Sequence, residues 1–472
     1  MPFILADLER RLTKMNTAPT KKESLFPLFF RYVSANVLGM IGFSCYILAD
    51  TFFIARGIGA DALAALNLAL PAYSLMNGTG LMIGMGAAAR YSLSAAQPKD
   101  KIHQTIFTHA LYLTVPAAVI FSSAGALFPG QIAHVLGANG ETISYATDYL
   151  RVLLLFSPLF LGNNLLTCFV RNDGAPGLSM AGMITGSLTN IVLDYVFVYP
   201  LGMGMTGAAV ATATAPVVSM LVLSAHFIKK NNRFRVLSGV RFSARRWLDI
   251  CALGVSSLVS ELSSGIVIIV FNFLILSLNG NTGVAAYGIL ANIALVLVAI
   301  FTGIAQGIQP IVSKYAASGN RESTSGRNAI RSIRRYALAT ALLMALAAYT
   351  AVTVWSVPIA DIFNRDHDPV LTEIASGGMK IYFVSLFFSG INIVAASFLS
   401  SADRPRQAFI VSILRGFLLI IPVAWLLAAL AGLTGIWMAV PVTEGIVSVL
   451  ALIFLFKHTA NSNRGDFPDS RD

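Results

Sequence analysis

Two carboxylates, Asp50 and Asp194, interrupt stretches that are otherwise almost wholly apolar. Asp50 is the one charged residue in 45–54 and sits inside an apolar run from about residue 25 to 55, longer than the ~20 residues that a bilayer crossing needs. A charged carboxylate at hydrocarbon depth is costly, so such a group must be neutral, paired or ion-bound. Asp50 lies about six residues before a turn at Gly57, Asp194 about six before Pro200, and Thr212 about seven after Met205. At ~1.5 Å per residue, all three sit ~9–10 Å below the same membrane surface. Asn190 lies one turn deeper than Asp194 on the same helix face. Two carboxylates, an amide and a hydroxyl at one depth make a cage of oxygens. Hard cations such as Na⁺ take ligands of that kind, and the same carboxylates can carry a proton.

These residues require long membrane helices to hold them. The chain has 472 residues, 56% hydrophobic and 12% charged, about half the charged fraction of a soluble domain. Twelve spans can be drawn: 26–55, 62–91, 103–128, 144–169, 177–199, 205–228, 247–277, 284–313, 333–356, 373–399, 406–429 and 433–457. None alternates as barrel strands do, so the fold class expected is an all-α integral membrane protein. The net charge of +11 is concentrated in loops between spans, which the positive-inside rule explains without nucleic acid. Lys21, Lys22, Lys99, Lys101, the stretches 229–246 and 314–335, Arg404, Arg406 and Lys457 all fall on one side, so both termini are expected in the cytoplasm. Cys45, Cys168 and Cys251 lie inside spans and form no CxxC pair. No Walker motif is present to couple the chain to ATP.

The two halves repeat each other. Residues 59–67 align with 280–288, 169–176 with 398–405, and Thr206-Gly207 with Thr434-Gly435. Six spans per half is an even number, so the repeats run parallel, related by an axis along the membrane normal. The expected divisions are a cytoplasmic N-terminal segment 1–24, an N-lobe 25–228, a basic linker 229–246, a C-lobe 247–457 and a cytoplasmic tail 458–472. The second-half positions that correspond to Asp50, Asn190, Asp194 and Thr212 are Phe271, Leu418, Pro422 and Val440. All four are apolar, so the scaffold itself does not demand the polar set, and the ion site is expected in the N-lobe alone.

Three motifs carry a resemblance across about 25–457. They are Ala49-Asp-Thr-Phe-Phe-Ile54 with Ala64-Ala-Leu66, the run Gly303-Ile-Ala-Gln-Gly-Ile-Gln-Pro310, and Leu433-Thr-Gly-Ile-Trp437. With them the chain resembles the multidrug and toxic compound extrusion (MATE) family, in its bacterial staphylococcal-type branch. The resemblance implies two parallel-repeat six-helix lobes of the MATE-like fold in a bacterial plasma membrane. It also implies export of cationic or amphipathic compounds in exchange for H⁺ or Na⁺, by a monomer that needs no cofactor beyond that cation. The family's N-lobe cation site matches Asp50, Asn190, Asp194 and Thr212 position by position.

Further polar residues inside the spans are Glu261, Glu444, Asn272, Gln306 and Tyr46, candidates for a substrate cavity, and Arg415. A buried ion pair between Arg415 and one of the glutamates is the structural alternative to a substrate role. Other branches of the family carry a glutamate about one turn after Glu261, where this chain has Gly265. Asn172-Asp173 and Ala402-Asp403 precede prolines and read as turn residues, and His109 has no partner at metal-ligand spacing. The alternative function on the same scaffold is a flippase for lipid-linked precursors, which wants a more basic cavity.

Overall fold

The computed structural model describes residues 24–95, 102–228, 232–317, 324–364 and 368–464. The expectations for the N-terminal segment, for Lys21, Lys22, Lys99, Lys101 and Lys229, and for the last part of the tail lie outside them.

The elements run α1 (Leu25–Gly57), α2 (Ala60–Ala95), α3 (Ile102–Leu127), α4 (Pro129–Val135), α5 (Ile143–Leu155), α6 (Ser157–Asn172), α7 (Pro176–Val198) and α8 (Gly204–Ile228). There follow α9 (Ala244–Gly280), α10 (Thr282–Ala316), α11 (Thr324–Val354), α12 (Ser356–Phe363), α13 (Pro369–Tyr382), α14 (Ser385–Ser401), α15 (Pro405–Ile413), a π turn at Leu414–Leu418, and α16 (Ile420–Arg464). No strand occurs among the described residues. Prolines begin α4, α7, α13 and α15, where a missing N–H costs a helix nothing.

Eight of these helices are long and apolar enough to cross a membrane, and the bent pairs α5–α6 and α13–α14 bring the number to ten. The segment Pro405–Lys457, taken there as one, is broken at Ala431 and Gly432, and α2 is a 36-residue helix diluted by Asn, Gly and Ser. Each of the twelve expected spans therefore has its helix. The last helix continues to Arg464, beyond the apolar run that ends near 457.

The internal repeat is written into the backbone. Gly59 and Gly280 both have positive φ, as do Gly204 and Gly432. Gly174 (φ 96°) corresponds to Asp403 (φ 63°), which among described residues is the single non-glycine in that region. The α5–α6 pair bends by 50° and the α13–α14 pair by 49°. One local difference matters. The π turn closes Leu419 N–H onto Leu414 O (3.1 Å) and so encloses one extra residue. Counted from Pro176 and Pro405 through that insertion, Asn190 and Asp194 correspond to Ile420 and Ala424, both buried. Leu418 is 58% exposed and so is not the counterpart of a buried amide. The corrected counterparts are still apolar.

The chain forms two compact units, 1–265 and 266–472. The break falls inside α9 rather than at the basic linker. The first part of α9 crosses α2 at two glycines: a Cβ on Gly86 would meet the carbonyl of Ile250, and one on Gly254 that of Met82. No other residue permits that approach, so the N-terminal part of α9 is packed into the first unit. The linker is tied to the same unit. Phe234 is fully buried among Tyr91, Phe107, Phe169 and His226, and Asp173 accepts the N–H of Arg233 (2.7 Å) and lies 2.9 Å from His226 Nε2. Asp173 is thus more than a turn residue. His109 takes Arg246 as its partner, 2.7 Å from Nε2.

Candidate functional site

The site of the first unit is assembled by four helices. α1 carries Tyr46 and Asp50 one turn apart, α7 carries Asn190 and Asp194 likewise, α8 brings Thr212, and α5 brings Tyr149. α1 packs along α7, and α7 along α8. Gly186 makes the second contact close, since a Cβ there would lie 3.0 Å from the carbonyl of Ala215.

Asp194 and Asn190 have no exposed surface, Thr212 retains 4% and Asp50 6%. With the Asn190 amide oriented to satisfy both of its ends, its nitrogen donates to Asp194 Oδ2 (3.0 Å) and its oxygen accepts from Thr212 N–H (3.2 Å). The Tyr149 hydroxyl lies against the Thr212 hydroxyl, and Asp50, Asp194 and Tyr149 are within electrostatic reach of one another. Asp50 Oδ1 and Asp194 Oδ1 are buried and accept no hydrogen bond among the described residues. Buried carboxylate oxygens in that condition are normally satisfied by a proton, a water or an ion. Pro216, in the middle of α8, has no N–H to give to the carbonyl of Thr212, so a backbone oxygen is released at the same level. The donor set therefore fits a cation or a proton.

A polar track leads away from this seat. Tyr46 and Tyr73 have their hydroxyls 3.3 Å apart, and Tyr73 is within electrostatic reach of both Asp50 and Glu261. Asn77 donates to Glu261 Oε2 (3.4 Å) and accepts from Asn164 (2.9 Å). Glu261 is therefore in the first unit, against α2, where a Cβ on Gly78 would come within 3.1 Å of its own Cβ. It does not pair with Arg415, because the close α2–α9 crossing turns it toward Asn77.

In the second unit Arg415 pairs with Glu444 (Nη2 to Oε1, 2.6 Å), and Asn392 donates to Glu444 Oε2 (2.6 Å). Both carboxylate oxygens of Glu444 are thereby engaged. Asn272 is half-buried on α9, and Gln306, 8% exposed, lies on α10. Phe271, at the place of Asp50, is fully buried and stacks on Tyr287 at 5.4 Å. Tyr149, Tyr73, Asn77, Asn164 and Asn392 were not singled out from the sequence. Tyrosines and asparagines are common in apolar helices, and nothing in spacing distinguishes these from the rest.

The MatE family model matches residues 36–196 and 257–426, covering both halves of the repeat. The chain belongs to the MatE family. It is a multi-pass membrane protein of a transporter family, and the resemblance drawn from the three motifs is borne out. The multidrug export protein MepA of Staphylococcus saprophyticus is 26% identical over 438 residues, which is 92% of this chain and 94% of that protein. The protein of that name from Staphylococcus aureus strain MSSA476 is 25% identical over 437 residues, with the same coverage. Among solved structures, an outward-facing multidrug-resistance MATE transporter superposes with a TM-score of 0.85 at 22% identity, over 94% of this chain and all of that one. A MOP superfamily transporter from Pyrococcus furiosus, whose reversed pocket polarity suggests a different function for it, superposes at 0.83 and 21% identity, over 94% of this chain and all of that one. At these identities the superpositions establish the fold, an all-α membrane fold of the MATE kind.

Proposed function

We propose that the chain is a secondary antiporter of the bacterial plasma membrane, with both termini in the cytoplasm, exporting cationic or amphipathic compounds in exchange for H⁺ or Na⁺. The observation that carries this reading is the pair of buried carboxylates, Asp50 and Asp194. Each keeps an oxygen without a partner among the described residues; Asn190 joins Asp194 to Thr212, and Tyr149 is within electrostatic reach of both acids. Two such acids within reach of each other titrate as one coupled system. Loading a proton or Na⁺ from outside relieves their repulsion and supplies the missing partner. α1 can then repack against α7, and substrate binding weakens. Release of the ion inside resets the cycle. The ion acts only through its different affinity for the two conformations. The names of the staphylococcal relatives support drug export as the direction of transport. Glu261, on the polar track from Asp50, is the acid best placed to meet a cationic substrate; Asn272, Gln306 and Tyr46 remain cavity candidates.

The test is efflux of ethidium from proteoliposomes under an imposed pH or Na⁺ gradient. The wild type should respond to one of the gradients and name the ion, and Asp50→Asn should abolish efflux while still inserting into the membrane. Gradient-driven efflux by Asp50→Asn at the wild-type rate contradicts the assignment. A protein that moves lipid-linked precursors but no dye belongs to the flippase class.

A further inference from the structure

Arg415 lies about ten residues into the span that begins at Pro405, hence ~15 Å along the helix axis, close to mid-membrane. At that depth its side chain cannot snorkel to either surface, and a charged group must face the protein or an aqueous space. It does both. Nε donates to Glu444 Oε1 and Oε2 (3.2 and 3.3 Å), and Nη2 donates to Oε1 (2.6 Å). Nη1 makes no hydrogen bond among the described residues, and the side chain keeps 16% of its surface. Nη1 and the second N–H of Nη2 thus have no hydrogen-bond partner among the described residues.

The group is held rigidly. Asn392, fully buried, donates to Glu444 Oε2 (2.6 Å) and to the Glu444 carbonyl (2.9 Å). Glu444 in turn fixes the plane of the guanidinium, and Arg415 stands in the π turn, a distortion of the helix that recurs where a side chain must be placed for function. The buried side-chain oxygens of Asn392, Ser412 and Thr443 lack a partner among the described residues. The scaffold does not require any of this. Counted along the repeat, the first half has Gly186 and Pro216 where the second has Arg415 and Glu444, and there the two helices simply touch.

We propose that Arg415 is a binding residue for the carboxylate of amphipathic zwitterionic substrates, with Glu444 and Asn392 as the residues that position it. This rests on the exporter reading and assigns a residue that discriminates among its substrates. A planar guanidinium edge with two parallel N–H groups matches a carboxylate in bidentate fashion. The cluster is neutral as it stands, so a bare anion would leave it with net negative charge at mid-membrane. A carboxylate that arrives with its own cationic centre adds none. Glu444, with both oxygens engaged, is not a seat for a substrate cation; it acts through Arg415.

The experiment compares two dyes that differ in one group, rhodamine B with its free carboxylate and the ethyl ester of rhodamine B. Binding to the purified full-length protein is read by fluorescence anisotropy. Arg415→Gln should weaken rhodamine B roughly ten- to a hundredfold, the loss of a charge-assisted pair, and leave the ester within about twofold. Arg415→Lys keeps the ion pair, and with it the fold, but offers a point charge in place of a planar edge. It should lose most of the preference for the free carboxylate. Equal losses for both dyes, or no loss for either, overturn the proposal while leaving the exporter reading intact. A wild type that binds neither dye overturns the proposal, and ethidium efflux decides the exporter reading separately.

Discussion

Changing Asp194 to asparagine separates what the buried acids contribute to the fold from what they contribute to ion binding. Asp194 has no exposed surface, and its Oδ1, like that of Asp50, is buried without a hydrogen-bond partner. A buried polar atom in that condition costs about 1–3 kcal/mol, and more when it carries charge. The amide keeps an oxygen that can accept from Asn190 and removes the repulsion between the two acids. In buffer free of the coupling ion, Asp194→Asn should therefore be about 1–3 kcal/mol more stable than the wild type, a rise of several degrees in the midpoint of thermal unfolding. Supplying the coupling ion should reverse the order of response. The wild type gains about 2.7 kcal/mol at a hundred times its dissociation constant, and the variant gains almost nothing. The assay is thermal unfolding in detergent, followed by intrinsic fluorescence across a Na⁺ series and a pH series. A variant less stable than the wild type in ion-free buffer, with its response to the ion undiminished, refutes the reasoning.

Three further outcomes are expected. Tyr149→Phe removes the hydroxyl that lies against Thr212 and should weaken coupling-ion affinity about tenfold without lowering the yield of folded protein, as read by ion titration of unfolding temperature. Pro216→Ala restores an N–H to the carbonyl of Thr212 and takes one oxygen from the site; Na⁺ affinity should fall while proton-driven efflux is largely kept, as seen in parallel gradient assays. Phe234→Ala empties a fully buried ring site among Tyr91, Phe107 and Phe169 and should cost about 3–5 kcal/mol in the first unit, with protease cleavage appearing in the linker.

The membrane helices and the repeat were legible because bilayer thickness dictates long apolar runs, and because the same turns recur at fixed spacing. Gly59 and Gly280, or Gly204 and Gly432, are glycines in both halves since both backbones take positive φ there. Asp50 and Asp194 were legible because an acid in an apolar run is expensive and so stands out. Tyr149 and the Asn77–Asn164 track were not. Neutral polar residues carry little cost in a helix, and only tertiary placement gives them a role. The π turn was equally hidden. One inserted residue leaves no mark on hydropathy; counted through it from Pro176 and Pro405, the counterparts of Asn190 and Asp194 are Ile420 and Ala424 and not Leu418 and Pro422. The fate of the glutamates turned on packing. Gly86 and Gly254 bring α9 against α2 and carry Glu261 to Asn77, leaving Arg415 to Glu444.

The claim at the centre is that occupancy of the Asp50–Asp194 seat sets the affinity for substrate. Linkage makes this measurable without transport, since two ligands that act on each other must do so by the same factor. Ethidium affinity of the purified protein should fall as the coupling ion is added, and the ion's affinity should fall by an equal factor as ethidium is added. In Asp50→Asn ethidium should bind with one affinity at every ion concentration. A wild type whose ethidium affinity ignores both Na⁺ and pH, or an Asp50→Asn protein that keeps the full dependence, contradicts the account.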